Sequence, residues 1–319
     1  MLELSQRVPE LGQIEKVKPL LGGACQENLL VTTASGRFVL RSDAASSLPG
    51  SLSRRKEFAV IAAARQAGVL TPEARWLTKD LLRPGADAYF LDFVEGIALG
   101  GKVVREPALE GARAVLPEQL ATNLARLHQV EQAEVELERP DDPIAAGMKM
   151  QRQTLDRLPQ KRPGLELAYR WLDCSRPAKR PVRLTHGDYR VGNFLVDTSG
   201  LKAVLDWEFA HWGDPVEDLA WLCVRDWRFG NLARAAGGLT SRGEFCQLYR
   251  QAGGDEVDPA VLHWWEVFGN LRWGAGALAQ GLRFLEAGEP RIELLAIARR
   301  VAEMEYEAVR LIERGPEKW

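Results

Sequence analysis

The chain has 319 residues, of which 46% are hydrophobic and 27% charged, and its formal net charge is −2. These values are typical of a globular protein and exclude a wholly disordered chain. The balance of Lys and Arg against Asp and Glu provides no broad basic surface for nucleic acid or for an anionic membrane. The opening residues lack an apolar export segment, and no apolar run reaches the roughly 20 residues that cross a bilayer, so we expect a cytoplasmic protein.

The first ninety-odd residues predict a small β-rich lobe. Residues 14–43 contain two turn signals, Gly22-Gly23 and Ser35-Gly36, between runs with strand character, which predicts three antiparallel strands. Residues 53–68, SRRKEFAVIAAARQAG, have helical spacing and a glycine placed to end the helix. Two further strands are predicted in residues 73–78 and 88–94.

From Gly96 onward the pattern changes to long helical segments, as in residues 117–132 and 290–313. The sequence therefore predicts an α+β fold with a boundary between Asp92 and Gly96. A small antiparallel lobe with one main helix would occupy residues 1–94, and a larger, mainly helical lobe residues 95–319. Ligand sites often lie in the cleft between two such lobes.

One stretch, LTHGDYRVGNFLVDTSGLKAVLDWE at residues 184–208, concentrates polar groups between short apolar runs. The runs NFLVD and LKAVLD predict two strands around a tight turn at Ser199-Gly200. If Asp197 is opposite Lys202, then Asn193 is opposite Asp206. Two oxygen ligands of this kind, too few to enclose an ion, suit Mg²⁺, which keeps several waters and takes other ligands from substrate phosphates. The hairpin thus predicts a magnesium site and a phosphate-bearing substrate.

Asp188 lies five residues before Asn193, within HGDYRVGN. The spacing D-x-x-x-x-N matches the catalytic loop of kinases, in which the aspartate accepts the proton of the attacking hydroxyl and the asparagine binds metal. Alone, HGD is a weak signal. Followed by one hairpin and LDWE, it indicates phosphoryl transfer.

These motifs resemble those of the aminoglycoside phosphotransferase and choline kinase-like family, small-molecule relatives of protein kinases. HGDYRVGNFLVD, AVLDWEFAHWGDPVEDLAW and FVLR are most similar to the branch with phosphotransferase domains fused to acyl-CoA dehydrogenases. The resemblance extends over nearly the whole chain. It implies a bilobal protein-kinase-like fold and transfer of the γ-phosphoryl group of ATP, or of GTP, to a hydroxyl group of a small molecule.

The resemblance also implies roles for individual residues in the central stretch. Asp188 is expected to be the catalytic base, Asn193 and Asp206 the Mg²⁺ ligands, and His186 a support for the loop. Glu208 replaces the glycine that follows the metal-binding Asp and Phe in protein kinases. It either reaches a second metal or a bound water, or only orients its neighbours.

A helix is predicted after GDP, with Asp214 as its cap and Pro215 at its first position. One turn later, Asp218 resembles the aspartate that braces the family's catalytic loop from below. We expect both aspartates to be structural.

On the nucleotide side, the resemblance implies that the Gly22-Gly23 loop covers the phosphates. Arg41, at the end of FVLR, replaces the lysine that holds the α- and β-phosphates; arginine is a permanently charged fork with a different reach. Glu57 matches the carboxylate that pairs with this cation in the family. The Asp92 carbonyl and the Val94 amide would bind a purine edge, and such backbone contacts do not distinguish ATP from GTP.

The acceptor site is predicted less sharply. The segment HWWEVFGNLRWGAGALAQG, residues 263–281, contains Trp265, Arg272 and Trp273 at spacings that wrap around a helix. Both core packing and an apolar acceptor wall fit, the latter with Arg272 available for an acidic group. The sequence contains no dense acidic run of the kind that would bind a polycationic acceptor, which favours a less cationic hydroxylated metabolite. A true aminoglycoside kinase remains the alternative.

Two other function classes compete with a small-molecule kinase. A regulatory nucleotide-binding pseudokinase is favoured by Arg41 and the sparse glycine loop. It is opposed by the intact Asp188, Asn193 and Asp206. The other class is a metal-dependent hydrolase that uses His186, Asp188, Asp206 and His211. The sequence lacks the HxH or HExxH pair expected of such a site. The four cysteines form no CxxC pair, so we expect buried, reduced thiols rather than a zinc site. Nothing in the sequence indicates the oligomeric state.

Overall fold

A five-stranded antiparallel sheet forms the N-terminal part of the chain in the computed structural model, which describes residues 2–20, 27–43, 50–286 and 291–319. A short helix, α1 (Leu2–Arg7), and a 3-10 turn at Pro9–Leu11 precede the sheet. The strands are ordered β1-β2-β3-β5-β4. They are β1 (Ile14–Pro19), β2 (Glu27–Thr33), β3 (Gly36–Ser42), β4 (Ala74–Lys79) and β5 (Asp87–Asp92).

The sequence predicted these strands and the helix between them, and the structure confirms both. Helix α2 (Arg54–Gln66) begins after Ser53, whose hydroxyl oxygen accepts the Lys56 N–H at 3.4 Å. It ends before Gly68, whose φ of +83° suits glycine. The predicted turn at Gly22-Gly23 lies outside the described residues.

The two faces of the sheet bury different cores because side chains alternate along a strand. Leu40 of β3 and Phe90 of β5 lie in a small core with Val8 and Leu11 from the N-terminal segment. Tyr89, on the opposite face, belongs to the main core with residues of α2. Arg41 follows Leu40 and therefore faces α2.

The rest of the chain is mainly helical, with two short strand pairs between the helices. The helices before these pairs are α3 (Gly100–Arg105), α4 (Glu110–Leu127), α5 (Pro143–Arg157) and α6 (Pro163–Cys174). The pairs are β6 (Arg183–Thr185) with β9 (His211–Gly213), and β7 (Phe194–Asp197) with β8 (Gly200–Val204). The later helices are α7 (Val216–Cys223), α8 (Arg242–Gln251), α9 (Pro259–Glu286), α10 (Ile292–Ala298) and α11 (Val301–Arg314).

Helix α9 is central to this helical part and packs against α5, α6, α7, α10 and α11. The helical period of residues 290–313 corresponds to two helices, α10 and α11. Within the described ranges, no helix combines the length and the apolarity needed to cross a membrane.

The cysteines follow the sequence prediction in part. Cys223 and Cys246 are buried and free, whereas Cys174 is exposed at the end of α6, so the expectation of a buried thiol was wrong there. Cys25 lies outside the described residues.

Candidate active site

The loop that carries Asp188 leaves the end of β6 and is held in place by α7. The fully buried carboxylate of Asp218 accepts the backbone N–H of His186 at 2.7 Å and that of Gly187 at 2.9 Å. Gly187 has a φ of +74°, and a Cβ atom there would lie 2.2 Å from the carbonyl oxygen of Phe209. Only glycine fits this position without displacing backbone. Asp218 thus lies where it braces the loop.

A third group, the imidazole of His128, also contacts Asp218. Its Nε2 lies 3.3 Å from the carboxylate, and its Nδ1 lies 2.7 Å from the hydroxyl of Tyr249. Burial would raise the pKa of Asp218, but the hydrogen bonds from His128 and from the backbone N–H of His186 hold it below its ordinary value. Asp218 is therefore ionised at neutral pH.

His186 links the loop to the hairpin that follows. Its Nε2 lies 3.1 Å from the carbonyl oxygen of Leu205, and its Nδ1 accepts the backbone N–H of Asp188 at 3.2 Å. These partners assign the proton to Nε2. Burial lowers the pKa of His186 despite the nearby carboxylates, which favours the neutral ring. Through these two hydrogen bonds His186 supports the loop that carries Asp188.

Asp188 has a carboxylate fixed from several directions and is 8% exposed. Its Oδ1 accepts the indole N–H of Trp221 at 2.7 Å, and its Oδ2 accepts an amide N–H of Asn193 at 2.6 Å. The Nε of Arg190 lies 3.0 Å and 3.1 Å from the two oxygens. The orientation of the carboxylate is thus set by three side chains.

The register predicted for the hairpin was wrong. Asp197 pairs with Gly200 rather than with Lys202, and the register shifts between Leu195 and Val196. The cause is local turn chemistry, since Asp197 Oδ1 accepts the Ser199 N–H at 2.8 Å and closes a tighter turn. A bulge then changes the pairing further from the turn.

Asn193 and Asp206 are nevertheless connected through Leu205. Leu205, not Asp206, is beside Asn193, and its N–H donates to the Asn193 carbonyl oxygen at 2.8 Å. Asp206 follows with a left-handed backbone, φ +67°, which is uncommon for a residue other than glycine. Functional sites often hold such conformations.

The oxygen donors of this pair, an amide and a carboxylate, are of the chemical type that Mg²⁺ takes as ligands. The side-chain amide of Asn193 donates to the carbonyl oxygen and to the carboxylate of Asp188, so its Oδ1 remains as the acceptor. Burial would raise the pKa of Asp206, but the charges of Arg41 and Arg190 hold it below its ordinary value. Among the described residues, no cluster of three or more His, Cys, Asp or Glu side chains could hold a metal. An ion held by two such oxygens takes its remaining ligands from water and phosphate.

Arg41 and Glu57 form a buried ion pair beside this site. The Nη2 of Arg41 lies 2.8 Å from Glu57 Oε1 and 3.3 Å from Asp206 Oδ1. Burial lowers the pKa of Arg41, but Glu57 and Asp206 outweigh it and raise that pKa. The guanidinium thus remains charged at the end of β3.

Glu208 lies near α2. Its Oε2 is 3.6 Å from Nη2 of Arg54, and its carbonyl oxygen accepts the Leu52 N–H at 2.7 Å. These contacts connect the segment after β8 with the start of α2.

The remaining nucleotide candidates are at the edge of the sheet. Gly22 and Gly23 lie outside the described residues. The side chain of Asp92 binds Arg75 at 2.7 Å and 3.1 Å, and its N–H donates to the Glu73 carbonyl oxygen at 3.0 Å. Val94 is partly buried where the chain leaves β5.

The acceptor candidates on α9 have three different positions. Trp265 is 2% exposed and donates its indole N–H to Asp214 at 3.0 Å, which places it in the core. Arg272 donates to Glu217 at 2.8 Å and to the carbonyl oxygen of Gly187 at 2.9 Å. Arg272 therefore supports the loop that carries Asp188, and its guanidinium is already engaged by these two protein groups.

Trp273 belongs to a tryptophan cluster, Trp221, Trp227 and Trp273, beside Asp188. The centroid of the Trp227 ring lies 5.7 Å from that of Trp221 and 4.9 Å from that of Trp273. The guanidinium of Arg190 lies 4.5 Å from the centroid of Trp227. Sequence reasoning missed Arg190, Trp221 and Trp227. Trp221 follows Asp218 by three residues, a spacing that puts both on one helix face and could have indicated it.

The model of the Phosphotransferase enzyme family (APH) matches residues 16–258. Acyl-CoA dehydrogenase family member 10 of Mus musculus is 27% identical over 216 residues, which are 63% of this chain and 20% of that protein. Family member 11 of Rattus norvegicus is 24% identical over 237 residues, which are 69% of this chain and 30% of that protein. The chain thus spans less than a third of the length of either curated relative.

Solved structures agree on the fold. A Ralstonia eutropha protein provisionally described as an aminoglycoside phosphotransferase has a TM-score of 0.79 at 19% identity, with 99% of both chains covered. A choline/ethanolamine kinase family protein of Mesorhizobium loti has a TM-score of 0.66 at 19% identity, covering 98% of this chain and 93% of that chain. The predicted bilobal, protein-kinase-like α+β fold is confirmed.

Two further structural neighbours hold ligands. The GDP and kanamycin complex of APH(2")-IIia has a TM-score of 0.67 at 16% identity and covers 97% of both chains. The aminoglycoside phosphotransferase APH(4)-Ia, in a ternary complex with ADP and hygromycin B, has a TM-score of 0.61 at 15% identity, covering 95% of this chain and 96% of that chain.

Proposed function

Because the chain belongs to the phosphotransferase enzyme family, we propose that it is a small-molecule kinase that transfers the γ-phosphoryl group of ATP or GTP to a hydroxyl group, assisted by Mg²⁺. One observation supports this most. A fixed carboxylate, Asp188, shares hydrogen bonds with Asn193, which lies beside the segment that ends in Asp206. Base and metal ligands are thus held within one hydrogen-bonded unit.

The proposed nucleotide site lies between the sheet and the helical part. Arg41 would bind phosphate oxygens with its guanidinium, anchored by the buried Glu57. The Gly22-Gly23 loop would cover the phosphates, and the Asp92 carbonyl and Val94 amide would bind the base. The ADP and GDP complexes of the structural neighbours support a nucleotide site. They leave the choice between ATP and GTP to experiment.

Asn193 and Asp206 would hold the metal. When bound, Mg²⁺ supplies charge neutralisation at the phosphate oxygens. The protein contributes two oriented oxygens, one neutral and one ionised, because Asn193 is turned by its bonds to Asp188 and Asp206 is kept ionised by Arg41.

Asp188 would accept the proton of the acceptor hydroxyl. Trp221 and Asn193 orient its carboxylate, and the loop below is fixed through Gly187 by Asp218 and Arg272. Phosphoryl transfer depends mainly on positioning and charge. These contacts would therefore contribute to the rate by holding the base in a fixed position.

The acceptor would lie beside Asp188, near the tryptophan cluster. Arg190 places a guanidinium directly beside the base, 24% exposed, which disfavours a polycationic acceptor there. We therefore propose a less cationic hydroxylated metabolite. Aminoglycosides, which two structural neighbours bind, are the alternative.

A screen of hydroxyl compounds for acceptor-stimulated ADP or GDP release tests the proposal. We expect release that requires Mg²⁺, is lost on chelation, and depends on the acceptor. Nucleotide binding without any such release would contradict the proposal and support a pseudokinase.

A further inference from the structure

Five buried or partly buried charges of alternating sign join the two ends of the metal loop, residues 206–208, through α2 and β3. Asp206 lies 3.3 Å from Arg41, which lies 2.8 Å from Glu57. Glu57 binds Arg54 through its other carboxylate oxygen, and Arg54 lies 3.6 Å from Glu208. The series begins and ends in the same three-residue segment.

The environment gives these contacts weight. The side chain of Glu57 is fully buried, that of Arg54 is 6% exposed and that of Glu208 is 10% exposed. An ion left without its partner at such a site is strongly unfavourable, because little water replaces the partner. Removing Arg54 would therefore leave Glu57 with one cation instead of two, and Glu208 without this counter-ion.

Backbone contacts fix the same junction. The Leu52 N–H donates to the Glu208 carbonyl oxygen at 2.7 Å, two residues before Arg54. The Arg54 N–H donates to Asp43 Oδ1 at 2.9 Å, next to the end of β3. The start of α2 is thus bound both to the strand that carries Arg41 and to the metal loop.

We propose that Arg54 is a positioning residue: with Glu208 as its counter-ion it clamps the metal loop to α2 and so sets the position of Asp206. Glu208 is then an anchor and not a ligand of a second metal. The proposal rests on the proposed function only in taking Asp206 as the metal ligand.

The two roles of Glu208 predict opposite effects of Arg54→Met. If Glu208 bound a metal, Arg54 would compete with that metal, and its removal would strengthen Mg²⁺ binding. If the pair is a clamp, removal of Arg54 loosens the loop and weakens Mg²⁺ binding. Arg55→Met is a matched control on the same helix, because Arg55 binds Asp87 and its side chain is 58% exposed.

Hydrogen exchange of the metal-free protein tests the clamp without any assay of activity. We expect faster exchange, by about tenfold or more, in peptides spanning residues 203–210 of Arg54→Met, while α11 and the Arg55→Met protein stay unchanged. Arg54→Lys is expected to restore part of the protection. Exchange in residues 203–210 that equals the wild type, or that rises equally in α11, would overturn the clamp.

A double-mutant cycle then measures its effect on Mg²⁺. We expect Arg54→Met and Glu208→Gln each to raise the apparent Mg²⁺ constant for phosphoryl transfer about tenfold, and the double variant no further. Additive effects, or a lowered constant in Arg54→Met, would contradict the clamp. If the wild-type protein showed no phosphoryl transfer, the proposed function would be wrong. The clamp would still be decided by the hydrogen-exchange result.

Discussion

Asp218→Asn tests the support beneath the catalytic loop. The Asp218 carboxylate accepts the N–H groups of His186 and Gly187, one on each oxygen. Asparagine has nearly the same shape but only one acceptor oxygen. Whichever way its amide is turned, one buried backbone N–H faces an NH₂ group.

The expected cost follows from these contacts. A hydrogen bond to a charged group contributes about 1.5–3 kcal/mol, and a buried donor without a partner costs about 1–3 kcal/mol. We therefore expect Asp218→Asn to lower the free energy of unfolding by about 3–5 kcal/mol, the range found when buried charged pairs lose one partner. Turnover falls with it, because Gly187 and Asp188 lose their fixed position.

Urea unfolding followed by circular dichroism near neutral pH measures this loss. The control is Asp173→Asn, the same substitution at an ion pair with Arg176 whose aspartate side chain is 48% exposed; it should change stability by no more than about 0.5 kcal/mol. A loss at Asp218 no larger than that of the control would refute the argument.

The effect of Asp218→Asn also depends on pH in a fixed direction. The pKa of Asp218 in the folded protein is below the ordinary value of 3.8. Its contribution is therefore complete above that ordinary value and is lost as the pH falls through the lower folded value. The difference in stability between wild type and variant is expected to shrink only in that acid range.

Three further changes probe separate contacts. Trp221→Phe removes the N–H donor to Asp188 and keeps an aromatic ring. We expect kcat, measured by steady-state kinetics, to fall about 10–100-fold while the nucleotide affinity, measured by calorimetry, stays unchanged. An equal fall in nucleotide affinity would contradict this expectation. Glu57→Gln removes the counter-charge of Arg41, and we expect the nucleotide Kd to rise about tenfold or more in calorimetry; an unchanged Kd would show that the pair is dispensable. Burial lowers the pKa of His186, so the wild type loses stability as the pH falls below the ordinary histidine value of 6.5. We expect His186→Gln to lack this part of the pH dependence when the free energy of unfolding is measured by urea titration. Identical pH slopes for both proteins would refute it.

The elements of the sheet were predictable because their patterns are local. Strand β5 alternates Tyr89 and Phe90 between two cores, and α2 has Ser53 as its cap and Gly68 after its end. Such signals need no knowledge of the remaining chain. The lobe boundary after Val94 stays a prediction.

The sequence grouped the proposed site residues only where they lie in one motif. Asp188, Asn193 and Asp206 are within nineteen residues of sequence, and one hairpin connects Asn193 with Asp206, although a bulge changed its register. Arg54 and Glu208 are far apart in the chain, and nothing in either local pattern indicates their pairing. The tryptophan cluster likewise forms from separate helices and turns.

The most direct test of the central proposal is Asp188→Asn, assayed by transfer of labelled γ-phosphate to an acceptor found by the screen. We expect nucleotide affinity within about twofold of the wild type and transfer reduced by about 10²–10⁴-fold, the usual contribution of a general base. Transfer at the wild-type rate would contradict the assignment of Asp188 as the base.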